Sequence, residues 1–87
     1  MVMIREMCRK VTDLGRFGRR TLVYSLIREA GEAEYGVGIA VAESGERAEI
    51  HGVTPDRARA ERLVDLLATY YVTPVALEDV VRDWLER

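Results

Sequence analysis

From Tyr35 to Ala42 the chain alternates large apolar residues (Tyr35, Val37, Ile39, Val41) with small ones (Gly36, Gly38, Ala40, Ala42). A period of two is that of a strand, whose successive side chains point to opposite faces. One face of this strand can carry a hydrophobic core. The other is almost bare backbone that another group can approach closely. Upstream, Thr21 to Glu29 reads the same way: Leu22, Tyr24 and Leu26 share one face, and Val23, Ser25 and Ile27 share the other. Both faces are largely apolar, which predicts a central strand. Downstream, Ala48 and Ile50 alternate with Arg47, Glu49 and His51. Ala30-Gly31-Glu32-Ala33 and Ser44-Gly45 supply short turns between these runs, so the three form an antiparallel meander.

The pattern at either end differs. In residues 1–14, Ile4, Met7, Cys8, Val11 and Leu14 fit a helical stripe that Gly15 could stop, and the same stretch also reads as a ragged edge strand. Gly15-Arg16-Phe17-Gly18 is a turn by composition and would join that strand to the next. After the meander, Thr54-Pro55-Asp56 predicts a helix start with Thr54 as cap, Pro55 at the first helical position and Asp56 at the positive end of the dipole. Ala60, Leu63, Val64, Leu67, Tyr70 and Tyr71 then recur on one helical face. Val72-Thr73-Pro74 breaks that helix. A last helix carries Leu77, Val80, Val81, Trp84 and Leu85 on one stripe, with Glu78, Asp79, Arg82, Asp83 and Glu86 mostly opposite.

Strands followed by helices make the α+β class. The expected architecture is a three- or four-stranded antiparallel meander with two C-terminal helices packed on the face bearing Tyr35, Val37, Ile39 and Val41. The chain divides into a basic segment over residues 1–19, the meander over 20–53 and the helices over 54–87, all within one domain.

This order of features resembles a family of small uncharacterised bacterial proteins, catalogued only as a domain of unknown function and found largely in clostridia-like Firmicutes. The resemblance rests on Leu22-Val23-Tyr24-Ser25-Leu26, Tyr35-Gly36-Val37, Gly52-Val53-Thr54-Pro55, and the stretch from Val72-Thr73-Pro74 through Leu77-Glu78-Asp79-Val80-Val81-Arg82-Asp83-Trp84-Leu85. It covers roughly residues 20–87. The chain departs from the family pattern at Arg82, where an acid is more usual, and at Trp84, where Phe is usual. The resemblance implies an N-terminal strand and turn rather than a helix, and it implies no activity.

Charge changes the picture of where partners could bind. The net charge of −2 is small, but residues 1–20 carry +4 and residues 21–87 carry −6. Arg16, Phe17, Arg19 and Arg20 mix cations with an aromatic, as single-strand binders do. The acidic remainder would repel the same phosphates. At 87 residues the core is modest, so a partner would add to stability. One cysteine, Cys8, forbids an intrachain disulfide and suits a reducing cytosol. Charges at Arg5, Glu6, Arg9 and Lys10 interrupt any secretory signal, and no run approaches the ~20 apolar residues of a membrane helix. The expectation is a cytoplasmic protein without a membrane partner. Asn and Gln are absent and Arg outnumbers Lys twelve to one. Codon bias from a GC-rich genome accounts for this, as heat adaptation also would.

Catalytic chemistry is poorly supported. Gly36-Val37-Gly38 lies inside a strand, and Val41 stands where a dinucleotide fingerprint needs its third glycine. His51 is the only histidine and no motif marks a nucleophile for it. It reads as a half-exposed surface residue, and Cys8, near Arg5 and Arg9, as a core or half-buried thiol. One Cys and one His cannot supply a zinc or iron–sulfur site. Glu78, Asp79, Asp83 and Glu86 read as a solvated face with Arg82 pairing to Glu78 and Glu86.

The leading expectation is therefore a non-enzymatic interaction or regulatory module without cofactor or metal. Its partner would be another protein or a second copy, met through Gly36, Gly38, Ala40, Ala42, Val23 and Ile27. The alternative is a nucleic-acid-binding accessory protein using Arg16, Phe17, Arg19 and Arg20. A third class, a ligand binder with a pocket near Tyr24 and Tyr70, would need convergent polar groups that the sequence does not mark.

Overall fold

The computed structural model describes the backbone of residues 2–13 and 18–86, and the side chains of Val11 and of residues 18–86. Strands β1 (Val2–Asp13), β2 (Arg19–Glu29), β3 (Tyr35–Val41) and β4 (Arg47–Thr54) precede helices α1 (Arg57–Thr69) and α2 (Leu77–Leu85). The strands form one antiparallel sheet in the order β1-β2-β3-β4. The meander thus has four strands, and β2 is central, as its two apolar faces require.

The helical stripe that residues 1–14 could have formed gives way to strand β1. Pairing runs from Val2↔Glu29 to Asp13↔Arg19, and its register shifts between Glu6 and Cys8. Such a bulge inserts an unpaired residue and breaks strict alternation, which is why a strand here imitates a helical period. Of the expected turn at Gly15-Arg16-Phe17-Gly18, only Gly18 lies within the described residues. Its φ of 77° is left-handed backbone that glycine adopts without steric cost.

Cross-strand pairs set the two faces. Leu22↔Val41, Tyr24↔Ile39 and Leu26↔Val37 fall on one, while Val23↔Ala40, Ser25↔Gly38 and Ile27↔Gly36 fall on the other. The first set meets Leu63, Val64 and Leu67 of α1 and Leu77 and Val81 of α2, all buried. Both helices therefore lie on the expected face. The Tyr24 hydroxyl donates to the Val72 carbonyl at 2.9 Å within the core, tying the central strand to the connection between the helices. Losing one partner of such a buried bond costs roughly 1–3 kcal/mol.

The helix start differs from expectation by two residues. Asp56 is the N-cap, its carboxylate accepting from the amides of Ala58 and Arg59. Thr54 ends β4, is buried, and accepts from the Asp56 amide through its hydroxyl. Pro55 lies before the helix. A carboxylate at the positive end of the helix dipole outcompetes a hydroxyl already committed to the turn.

The stripe of α1 also ends sooner than its spacing suggests. Ala60, Leu63, Val64 and Leu67 are buried, but Tyr70 and Tyr71 are exposed. Tyr71 has φ 52°; its amide donates to the Ala68 carbonyl, and the Val72 amide donates to the Leu67 carbonyl. These two bonds are the Schellman arrangement that closes a helix, usually with glycine at the left-handed position. A tyrosine there costs about 1–2 kcal/mol. It turns the chain so that Val72, not Tyr71, enters the core. On α2, Leu77 and Val81 are buried, Val80 and Trp84 half-buried, and Leu85 exposed.

Candidate functional site

Because both helices lie on one side, no described element crosses the other face of the sheet. The six small or apolar residues expected to form a contact surface there do not act alike. Gly38 and Ala40 come together with Ser25 around a shallow hollow of about 200 Å³ that Arg47 and Glu49 also line; Val23 pairs with Ala40 next to it but does not line it. Gly36 serves internal packing. A Cβ there would stand 2.2 Å from the Ile50 carbonyl oxygen and 2.8 Å from His51 Cα. The cause is an irregularity in β4: Tyr35 pairs with Thr54 but Val37 with Ile50, so β4 carries extra residues that crowd Gly36. Ile27, paired with Gly36, is 1% exposed. Ala42 is exposed but lies beyond the end of β3, its amide donating to the Thr21 carbonyl.

The β4 side of this open face is charged. Arg47 pairs with Glu49 at 3.1 Å. The nitrogens of His51 lie 3.6 Å from a Glu49 oxygen and 4.0 Å from a Glu29 oxygen. The hollow is thus uncharged on its β2 and β3 side and bears both signs on its β4 side. The sequence marks Arg47 and Glu49 only as polar positions of β4; their pairing with Ala40 and Gly38 is what sets them beside the hollow.

One carboxylate stands out at the strand ends. Glu43 accepts from the Thr21 amide and from the Thr21 hydroxyl, each at 2.7 Å. These bonds hold its carboxyl below the usual range, with a smaller contribution from nearby Arg20. The arrangement clasps the start of β2 to the turn after β3.

The residues expected to touch nucleic acid separate. Arg16 and Phe17 lie outside the described residues. Arg19 is exposed, and Arg20, half-buried, donates to the Arg19 carbonyl at 3.0 Å. Arg20 also borders a cleft of about 480 Å³ with Leu22, Val41, Glu46, Tyr71 and Val75. The pocket envisaged near Tyr24 and Tyr70 does not join them: Tyr24 is fully buried, and Tyr70 borders a separate groove between the helices. The Cys8 side chain lies outside those described. Arg82 pairs with Glu78 at 3.0 Å. Among the described residues no group of three or more His, Cys, Asp or Glu is arranged to hold a metal ion, and no helix is long and apolar enough to cross a membrane.

Residues 3–87 match the model of a family described as a family of unknown function (DUF6514), and the chain belongs to that family. The match extends through β1, beyond the residues 20–87 that carried the resemblance. No curated protein and no solved structure gave a match.

Proposed function

We propose that this member of a family of unknown function is a non-enzymatic, cytoplasmic protein-interaction module that pairs with a second copy through the open face of its sheet. One observation carries the reading. The centre of that face is a hollow lined by Ser25, Gly38 and Ala40 on its β2 and β3 side and by Arg47 and Glu49 on its β4 side, with Val23 next to Ala40, and no described element crosses it. A solvated sheet face ordinarily alternates to polar residues. A two-fold interface must be complementary to itself, and a strip bearing both charge signs meets that condition. Three strands about 4.8 Å apart and about 30 Å long give the face of β2, β3 and β4 on the order of 400 Å² in plan, the scale of a small interface.

The test is sizing by sedimentation of the wild type against Val23→Glu and Ala40→Glu. Both side chains project from the open face, so each variant keeps its fold and becomes monomeric. Variants that fold and still pair would exclude this face as the interface. The competing reading is nucleic-acid binding through Arg19, Arg20 and the +4 charge of residues 1–20. Phosphate binding would weaken steeply with salt, whereas sheet-face pairing would persist.

A further inference from the structure

The cleft of about 480 Å³ that Arg20 borders lies where β2 begins and β3 ends. Its volume is that of a ligand pocket, for which the usual range is roughly 300–1,000 Å³. The buried residues Leu22, Val41 and Pro74 give it an apolar lining. Val75, which also lines it, is 82% exposed. Leu22 and Val41 pair on the covered face of the sheet, so the cleft lies on the helical side, away from the hollow of the open face.

Both walls are held by hydrogen bonds. In the turn after β3 the Val41 amide donates to the Glu46 carbonyl at 2.7 Å, and the Gly45 amide donates to the Val41 carbonyl at 2.9 Å. Opposite, the Ala76 amide donates to the Thr73 carbonyl at 3.0 Å, and the Tyr24 hydroxyl holds Val72. A site on such supports is formed before its ligand arrives. Its charges come as one of each sign. Arg20 and Glu46 both line the cleft, and neither is in an ion pair among the described residues. Arg20 is half-buried and donates to a neutral acceptor, the Arg19 carbonyl. The nearby carboxylate of Glu43 has both oxygens engaged by Thr21.

We infer that this cleft binds a free α-amino acid with a large apolar side chain. The carboxylate meets Arg20, the ammonium meets Glu46, and the side chain packs on Leu22, Val41 and Val75. An apolar acid would leave Glu46 facing a like charge, and an apolar amine would do the same to Arg20. A zwitterion on an apolar body answers both charges and the lining. The site is separate from the open face and stands whether or not two copies pair.

The experiment is an NMR titration of the whole chain with L-phenylalanine and L-leucine. Two truncated probes run beside them: 3-phenylpropionate, which lacks the ammonium, and 2-phenylethylamine, which lacks the carboxylate. Saturable shifts of the Val41, Ser44 and Val75 amides are expected with an amino acid, and binding about tenfold or more weaker with either truncated probe. Arg20→Gln should weaken amino-acid binding about tenfold and leave the amine unaffected. Glu46→Gln should weaken it likewise and leave the acid unaffected. The amide spectrum of each variant shows that it is folded. Equal affinity for the amino acids and both truncated probes would mean apolar adsorption alone and would overturn the proposal. So would the lack of a saturable shift with both amino acids at millimolar concentration. Val23→Glu should leave amino-acid binding intact even where it abolishes pairing, which separates failure of this site from failure of the open face.

Discussion

Ile39 and Ala40 are neighbours on one strand, yet they belong to different surfaces. Ile39 faces α1 and α2, where Leu63, Val64, Leu67, Leu77 and Val81 close over it, and it is 2% exposed. Ala40 faces the side that no described element crosses and stands beside Val23 and Arg47. On the covered face the residue volume is set by what must be filled. On the open face, two different causes produce the same small residues. At Gly36 the crowding backbone of β4 demands glycine. At Gly38 a Cβ would meet the Glu49 side chain at 3.4 Å and the Ala48 carbonyl oxygen at 3.6 Å, both tolerable contacts, so the chain could carry a methyl there and does not. A small residue is therefore a packing requirement at Gly36 and a matter of choice at Gly38.

The largest effect should come from exchanging the two sides of that strand. Ile39→Ala should cost about 2–5 kcal/mol in denaturant unfolding, from lost burial and a residual cavity. Ala40→Ser should stay within about 0.5 kcal/mol. Similar costs at the two sites would show that the open face is packed as tightly as the covered one.

A middle-sized effect separates the two kinds of small residue. Gly36→Ala must displace the Ile50 carbonyl and the His51 backbone, and should destabilise by about 1–3 kcal/mol. Gly38→Ala needs only a shift of the flexible Glu49 side chain and should be near neutral. Equal unfolding midpoints for the two variants would contradict the role given to the irregularity in β4.

The smallest effect lies at the strand ends, where the two faces meet solvent. Glu43 is held below the usual carboxylate range by the Thr21 amide first and the Thr21 hydroxyl second. A depressed folded-state pKa contributes stability above the ordinary carboxylate pKa, and that contribution is lost as pH falls through the folded value. Thr21→Val should raise the Glu43 pKa in an NMR titration, and its stability difference from wild type should vanish at acid pH. An unmoved titration would mean that the hydroxyl bond does not form in solution.

Much of this arrangement is legible in the sequence, because alternation reports burial directly. Leu22, Tyr24, Val37 and Ile39 declare the covered face, and Leu63, Leu67, Leu77 and Val81 declare what covers it. Features set by backbone geometry are not so declared. Residues 1–14 resemble a helical stripe because a bulge between Glu6 and Cys8 breaks the strand period. Gly36 looks like Gly38 until β4 is seen to crowd one and not the other. Tyr70 and Tyr71 fit the helical stripe by spacing, but the Schellman closure at Tyr71 turns both outward, and the interhelical groove appears only as a result.

The central claim is that the open face of β2, β3 and β4 pairs two copies of the chain. The most direct measurement is the absolute mass of the wild type by light scattering after size exclusion, across a range of concentrations at low and at high salt. The account predicts a dimer that persists at high salt, because its centre is the uncharged surface of Val23, Ser25, Gly38 and Ala40. A monomer at every concentration and salt would contradict it.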